Sequence, residues 1–456
     1  MPVVRKTKSS TFLRWVNARP GRVIATSFLL VILVGSALLI LPFASRDRRS
    51  IGLLQAVFTA TSATCVTGLV TVDTATHWSL FGKVVILALI QIGGLGLVTI
   101  TSFFYTFMRR KATLKTMMTA QESTASFGFV DVMRLVRKII LITFVIEMTG
   151  GLILSWRLSA SLGWARGIGK GFFLAVSAFC NAGFDLLGDT AGGPFSSLVA
   201  YRDDPVLLLT VSLLIILGGL GFVVWSDLLE LPRSRRLKFH SKVVLAWTGI
   251  LLAAGTVLIL AAEGNGRFLD AVFQSVTSRT AGFNSIDQAG LSDGAKFTTI
   301  ILMFIGAAPG STAGGIKITT FAIVAATILS DIRGRDNILL MRHRLPRETF
   351  TRAFAIVGLA LSIVLSVTLL LSLVERPALE RGSLSFLDLL FETTSAFATV
   401  GLSAAGTPGL SPWTWAILIP VMYLGRVGPA SFAISLAMQR PAHKEPVYPE
   451  GRTLVG

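Results

Sequence analysis

The sequence predicts an all-α integral membrane protein. It is expected to hold four tandem M1-P-M2 repeats (helix, re-entrant pore loop, helix) in a pseudo-four-fold arrangement around one pore, with eight spanning helices. Three observations predict it. Long apolar stretches recur at 23–43, 79–107, 139–156, 205–229, 243–262, 297–329, 353–374 and 413–438, and a spanning helix needs about 20 apolar residues. A shorter, semi-apolar segment ending in glycine lies within each successive pair of stretches. Most of the 42 Lys and Arg residues fall on one set of alternate loops, the bias that orients helices in a bilayer.

Composition narrows the class first. Of 456 residues, 52% are hydrophobic and 14% charged, with a mean hydropathy of +0.71, which excludes a disordered chain and suits soluble domains poorly. A net charge of +18 fits a nucleic-acid binder, a membrane-surface protein or a spanning protein with basic inner loops. The basic residues are dispersed over five inner segments, the two termini among them, so no nucleic-acid partner is expected and membrane lipid is. Cys65 and Cys180 are the only cysteines, which excludes a disulfide scaffold and a thiolate metal cluster. His77, His240, His343 and His443 show no metal-ligand spacing, and no catalytic site is legible; the chain is not expected to be an enzyme.

The stretches divide the chain as follows. A basic cytoplasmic N-terminus (1–22) precedes repeat 1 (23–108), whose first apolar run is too long for a signal-peptide core of about 7–15 residues. A cytoplasmic loop (109–138) leads to repeat 2 (139–229), another (230–242) to repeat 3 (243–330), and a third (331–352) to repeat 4 (353–438) and a cytoplasmic tail (439–456). Arg5, Lys6, Lys8, Arg109, Arg110, Lys111, Arg235, Arg236, Arg342 and Arg344 represent the basic inner side. The re-entrant segments therefore enter from outside the cell membrane. Arg46, Arg48 and Arg49, in the first outer loop, are the local exception.

Aligned on their glycines, the short segments read AVFTATSATCVTGL (56–69), GFFLAVSAFCNAGF (171–184), AVFQSVTSRTAGF (271–283) and LLFETTSAFATVGL (389–402). Too short to span, they belong where protein or a water-filled cavity surrounds them. Gly68, Gly183, Gly282 and Gly401 stand at matching places. In a potassium pore, backbone carbonyls replace the water shell of the ion, and glycine permits the conformations that turn those carbonyls inward. The expected filter comprises Val66, Thr67 and Gly68; Asn181, Ala182 and Gly183; Thr280, Ala281 and Gly282; and Thr399, Val400 and Gly401, with K+ at their carbonyls. The bland alternative is that these glycines merely turn loops.

The motifs CVTGL, CNAGF, RTAGF and ATVGL, set in four M1-P-M2 units, resemble the Trk/Ktr/HKT superfamily of potassium transporters over nearly the whole chain. The short N-terminus, without an extra helix pair, is closer to its KtrB-type membrane subunits than to TrkH. The resemblance implies potassium uptake by a channel-like subunit without a cofactor, with sodium as a candidate co-ion. Glycine at all four filter positions, where serine at the first is associated in the family with sodium transport, implies potassium preference. It also implies a homodimer seated on a cytosolic ring of KtrA-type, nucleotide-binding regulators. The alternatives are a TrkH-like or sodium-permeable transporter of the same superfamily and, from another class, a multi-span enzyme or receptor with a small polar cavity.

Stretch 297–329 is too long for one ordinary crossing, and its middle holds Gly306, Pro309, Gly310, Ser311, Thr312, Gly314 and Gly315. Proline removes a donor and each glycine costs about 1 kcal/mol in a helix, so a broken helix lining a cavity is expected. By resemblance this segment is an intramembrane gate. Lys317 either positions that loop or snorkels to the inner surface. Arg426, a charge within an apolar stretch, marks an ion pathway or a paired structural site. By resemblance it is a barrier beneath the filter; the other readings are a pair with Glu147 or capping of nearby carbonyls. Arg279 and Glu392 are expected to brace the filter from behind, and Gly93-Gly94-Leu95-Gly96 and Gly218-Gly219-Leu220-Gly221 to allow close helix packing.

Overall fold

A computed structural model describes residues 20–109, 129–264, 266–335 and 337–428. The predicted N-terminus up to residue 19, most of the first inner loop and the tail 439–456 lie outside the described residues, as does Pro429. The main helices fall into four successive sets, each a long helix and a shorter one, followed by one further helix in the first and last sets and by two in the second and third. The first set is α1 (Pro20–Leu39), α2 (Leu53–Thr64) and α3 (Leu80–Arg109). The second is α4 (Phe129–Leu162), α5 (Trp164–Phe179) and the consecutive helices α6 (Pro205–Gly219) and α7 (Phe222–Ser234). The third is α8 (Phe239–Glu263), α9 (Phe268–Thr277), α10 (Asp293–Phe304) and α11 (Ile318–Ile332). The last is α12 (Arg347–Val374), α13 (Phe386–Ala398) and α14 (Pro412–Val427). A two-residue hairpin, β1 (Leu339–Leu340) against β2 (His343–Arg344), precedes α12.

Local sequence sets the boundaries. α13 opens on a capping box in which Ser385 Oγ accepts from Asp388 N at 3.1 Å and Asp388 Oδ2 accepts from Ser385 N at 2.9 Å. Asp204 and Ser411 cap α6 and α14, each followed by proline at the first helical position, where the missing N–H is no loss.

By length and composition, Arg137–Leu162, Phe239–Glu263 and Glu348–Val374 are each able to cross a membrane. Pro205–Gly219 and Phe222–Pro232, bent by 96° at their break, make a fourth when taken together as one span. Two of the eight expected stretches are interrupted among the described residues: 297–329, where the proline and glycine cluster predicts a break, and 205–229, which was expected to run unbroken. Stretch 205–229 breaks at Gly221, whose φ of +87° ends one helix and starts the next. Stretch 297–329 breaks across 305–317, where the proline and glycine cluster lies. Shorter apolar helices run through Ala25–Leu39 and Leu80–Gly96. Leu30, Leu33, Leu141, Phe144, Leu365, Leu369 and Leu373 stand exposed on long helices, a surface that suits lipid and not water.

Tyr423 of α14 donates to the Ala25 carbonyl of α1 at 2.6 Å, joining the two ends of the described chain. Lys296 of α10 meets Asp388 of α13 at 2.8 Å with both side chains largely buried. Glycine controls how closely the long helices approach the short ones. Gly93 on α3 packs against the Thr64 carbonyl that ends α2, Gly218 on α6 against Phe179 of α5, and Gly425 on α14 against Phe397 of α13. A Cβ at any of the three would overlap the carbonyl.

Overpacking of this kind costs about 1–3 kcal/mol. Gly218→Ala and Gly425→Ala are therefore expected to lower the thermal unfolding midpoint of the detergent-solubilised protein. Gly249→Ala, on α8 with nothing within 4 Å of the added Cβ, is expected to leave it unchanged or raised. Equal midpoints across the three variants would contradict the packing account.

Candidate functional site

Each short helix ends in the same device. Two residues before each aligned glycine the backbone turns left-handed, at Val66 (φ 57°), Asn181 (58°), Thr280 (70°) and Thr399 (52°), and the glycines follow at 94°, 69°, 83° and 95°. Alternating left- and right-handed backbone turns successive carbonyls to one side, whereas an ordinary strand would alternate them. A non-glycine residue held this way costs about 1–2 kcal/mol, so the surroundings must hold it. Thr67 N donates to Ser62 O, Ala182 N to Ser177 O and Val400 N to Ser395 O, each at 2.8 Å. Gly68 N and Gly401 N donate to the Ser62 and Ser395 hydroxyls at 3.1 and 3.0 Å. The third segment differs: Ala281 N donates to Thr277 O at 3.0 Å, one residue out of step.

The four segments meet in a closed ring. A Cβ built on Gly68 would lie 3.0 Å from Gly183 Cα, one on Gly183 3.1 Å from Gly282 Cα, one on Gly282 3.1 Å from Gly401 Cα, and one on Gly401 2.9 Å from Gly68 Cα. The same positions press on the carbonyls of Ala182, Ala281, Val400 and Thr67 in turn. Those oxygens, each belonging to the residue before a glycine, thus lie at the junctions of the ring. The C-terminal ends of the short helices point to the same place, where their partial negative charge favours a cation.

One side of the ring opens into a cavity of about 240 Å³ lined by all four glycines together with Asp73, Asp185 and Asp287. Sequence reasoning missed these aspartates, which follow the glycines in irregular loops of unequal length. Ser62, Ser177 and Ser395 were missed too, although their equal offset from three glycines is a signal in the aligned segments.

The other side is filled by the loop 305–317. Gly314 packs against Thr399, and Gly315 lies 3.4 Å from Ala398, counted from an added Cβ. Thr312 Oγ1 donates to the Phe179 carbonyl at 3.0 Å and Thr312 N to the Gly218 carbonyl at 3.3 Å. Ala308 N donates to Gly219 O at 3.1 Å, and Phe222 N to Gly310 O at 3.0 Å, so the break in α6 and α7 and the break in the third set satisfy each other. Ser311 Oγ donates to Ala308 O at 2.6 Å within the loop. Pro309 O faces Gly221, and the chain re-enters helix through Ile318 N to Ala307 O at 3.0 Å. Gly306 packs on the Gly314 carbonyl.

Lys317 and Arg426 hold this loop through carbonyls. Lys317 Nζ donates to Ala313 O at 2.7 Å and Gly314 O at 3.3 Å. Arg426 is buried, donating to Thr312 O through one terminal nitrogen and to Gly93 O at 2.5 Å through the other. It makes no ion pair with Glu147, one of the pairings the sequence left open. Glu147 instead accepts from Gln91 Nε2 at 3.2 Å and lies 3.8 Å from the free thiol of Cys180. Arg279 and Glu392 do not pair either; Glu392 accepts from Ser403 Oγ at 2.7 Å and from Thr407 Oγ1 at 2.5 Å, tying α13 to the chain beyond Gly401. Among the described residues no group of three or more His, Cys, Asp or Glu is placed to hold a metal ion.

The chain matches the profile of the TrkH family, described as a cation transport protein, over residues 7–445. It belongs to that family. It is 38% identical over 448 residues to the potassium/sodium uptake protein NtpJ of Enterococcus hirae, covering 96% of this chain and 97% of that one. It is 36% identical over 455 residues to the Ktr system potassium uptake protein B of Bacillus subtilis (97% and 98% covered) and 38% identical over 448 residues to that of Vibrio alginolyticus (95% and 94%). The crystal structure of the potassium transporter TrkH from Vibrio parahaemolyticus superposes with a TM-score of 0.68 at 14% identity, covering 96% of this chain and 87% of that one. Family and apolar helices together make this a multi-pass membrane protein of the helical TrkH fold.

Removing a buried acceptor leaves its donors unsatisfied, at about 1–3 kcal/mol each. Glu392→Ala is therefore expected to destabilise the protein by several kcal/mol, and Glu392→Gln, which keeps one acceptor, by less. Denaturant unfolding in lipid-containing micelles measures both; equal loss would mean that the two hydroxyls do not depend on the carboxylate.

Proposed function

We propose that the chain is the ion-conducting membrane subunit of a Ktr-type potassium uptake system, with the four short helices and their glycines as the P elements of four M1-P-M2 repeats around one pore. The single observation that carries the reading is the closed ring of Gly68, Gly183, Gly282 and Gly401 with main-chain oxygens at every junction. Carbonyls fixed in advance offer a dehydrated K+ the ligands that its water shell supplied, without the cost of assembling them as the ion arrives. Relatives named for potassium uptake cover the whole length of the pore-forming region and support this choice of ion.

In this reading Asp73, Asp185 and Asp287 concentrate cations at the outer mouth. Ions then pass the carbonyl ring and reach the loop 305–317, which with Arg426 and Lys317 obstructs the inner half of the path as the gate. A buried guanidinium beneath the ring repels any cation leaving it, and its bonds to Thr312 and Gly93 hold the loop across the path. Opening requires the loop to leave Arg426. Sodium is proposed as a co-ion, in line with one relative named for both ions. Both termini face the cytoplasm of a cell-membrane protein, and the homodimer sits on a KtrA-type regulatory ring. The exposed basic hairpin of Arg342, His343 and Arg344 offers an inner surface for that ring.

Gly401→Ser places a side chain against the Thr67 carbonyl and at φ 95°. It is expected to lower the potassium-over-sodium flux ratio at least several-fold in vesicles and to weaken rescue of bacteria lacking potassium uptake; an unchanged ratio would overturn the filter assignment. Arg426→Gln is expected to raise potassium flux several-fold at a fixed gradient, and flux equal to the parent protein would remove Arg426 from the gate.

A further inference from the structure

Arg46 and Arg48, which break the inner-side bias of basic residues, sit in a cavity of about 950 Å³ between the first and second sets of helices. Among the described residues, Lys83 at the start of α3, and Arg166 and Lys170 on α5, complete five basic residues around it, and Asp189 is the one carboxylate in its lining. Asp189 is taken by an ion pair with Lys170, and Lys83 donates to the Ala75 carbonyl at 2.6 Å. Among the described residues no carboxylate pairs with Arg46, Arg48 or Arg166, and all three are exposed. Asp47, between the two loop arginines, accepts from Arg49 N at 3.2 Å.

This is a built feature. Arg46 N donates to His77 O at 2.8 Å, Ser79 N to Ala44 O at 2.9 Å and Ser79 Oγ to Phe43 O at 2.8 Å, so the arginine loop is stitched to the chain entering α3. Its flank is apolar: Phe43 is 54% exposed, Leu80 80% and Trp164 68%. In a spanning protein those side chains face acyl chains and headgroups. The cavity also lies on the side of the ring from which the chain departs Gly183, since Leu186 and Asp189 line it. Uncompensated, such charge beside the acidic mouth would repel cations.

We propose that this cavity binds the headgroup of an anionic phospholipid, its phosphate held by Arg46, Arg48 and Arg166 and its acyl chains lying on Phe43, Leu80 and Trp164. The site combines a phosphate-binding set of guanidinium groups with an apolar bank, which a water-soluble anion would leave unused. The proposal rests on the membrane-spanning reading but on neither the ion transported nor the gate.

The test is lipid retention by the purified full-length protein, read by native mass spectrometry with phosphatidylglycerol and phosphatidylcholine of identical acyl chains. The parent protein is expected to retain phosphatidylglycerol preferentially. Arg46→Gln combined with Arg166→Gln is expected to reduce that retention on the order of tenfold or more, while the paired Lys substitutions and Arg376→Gln, a surface charge paired elsewhere with Glu380, retain it. Arg48→Gln alone should weaken retention and serves if the double variant does not fold. Equal retention of the two lipids, no loss in the Gln variants, or displacement of phosphatidylglycerol by an equal concentration of free glycerol phosphate would overturn the proposal. Because retention is read without ion flux, its failure leaves the pore reading untouched, and a chain that conducts no potassium could still pass.

Discussion

Backbone groups in a bilayer must find partners within the protein, and here four stretches of non-helical backbone come together where no side chain has room. The glycine ring is the constraint on which the rest of the structure depends. Its glycines are so close that a Cβ on any of them would press on the neighbouring segment. The short helices must therefore all end at the ring, and three of the following helices carry Gly93, Gly218 or Gly425 where they abut those ends. The left-handed residues before the ring are held by carbonyls and hydroxyls one turn back along each short helix.

The arrangement is four-fold only in outline. After Gly93, Gly218 and Gly425 come Gly94, Gly219 and Arg426, and the matching pair in the third set is Gly306 and Ala307. Three of these second positions hold a small residue, and there the chain fits against Cys180 or against its neighbour across the path. The fourth holds a guanidinium, which bonds to carbonyls from two other sets. The third set departs again through the loop 305–317. Its unpaired backbone is satisfied by the break at Gly221, so two interrupted helices stabilise each other where either alone would leave orphaned groups.

Much of this was legible from the residues. The aligned segments contain the glycines and left-handed positions that form the ring, and Gly306 to Gly315 signalled a broken helix because proline and clustered glycine cannot sustain one. The break at Gly221 was not legible: Gly218-Gly219-Leu220-Gly221 reads equally as a packing surface, and only contact with Pro309 and Gly310 distinguishes the two. Gln91 as the partner of Glu147 was equally hidden, because residues far apart in sequence have no periodicity linking them. Asp73, Asp185 and Asp287 lie in loops, where position relative to an axis leaves no mark on composition.

The sequence by itself determined that the chain is apolar enough to span, that a short segment ending in glycine recurs four times, and which glycines those are. These follow from hydropathy and from steric freedom at single residues, which are local properties. The tertiary structure alone decided that the four segments close into one ring, that Arg426 caps carbonyls of Gly93 and Thr312 and pairs with no acid among the described residues, and that the loop lies against the ring. Each of those depends on distances between residues remote in the chain, and such distances are set by the packing of all the helices together.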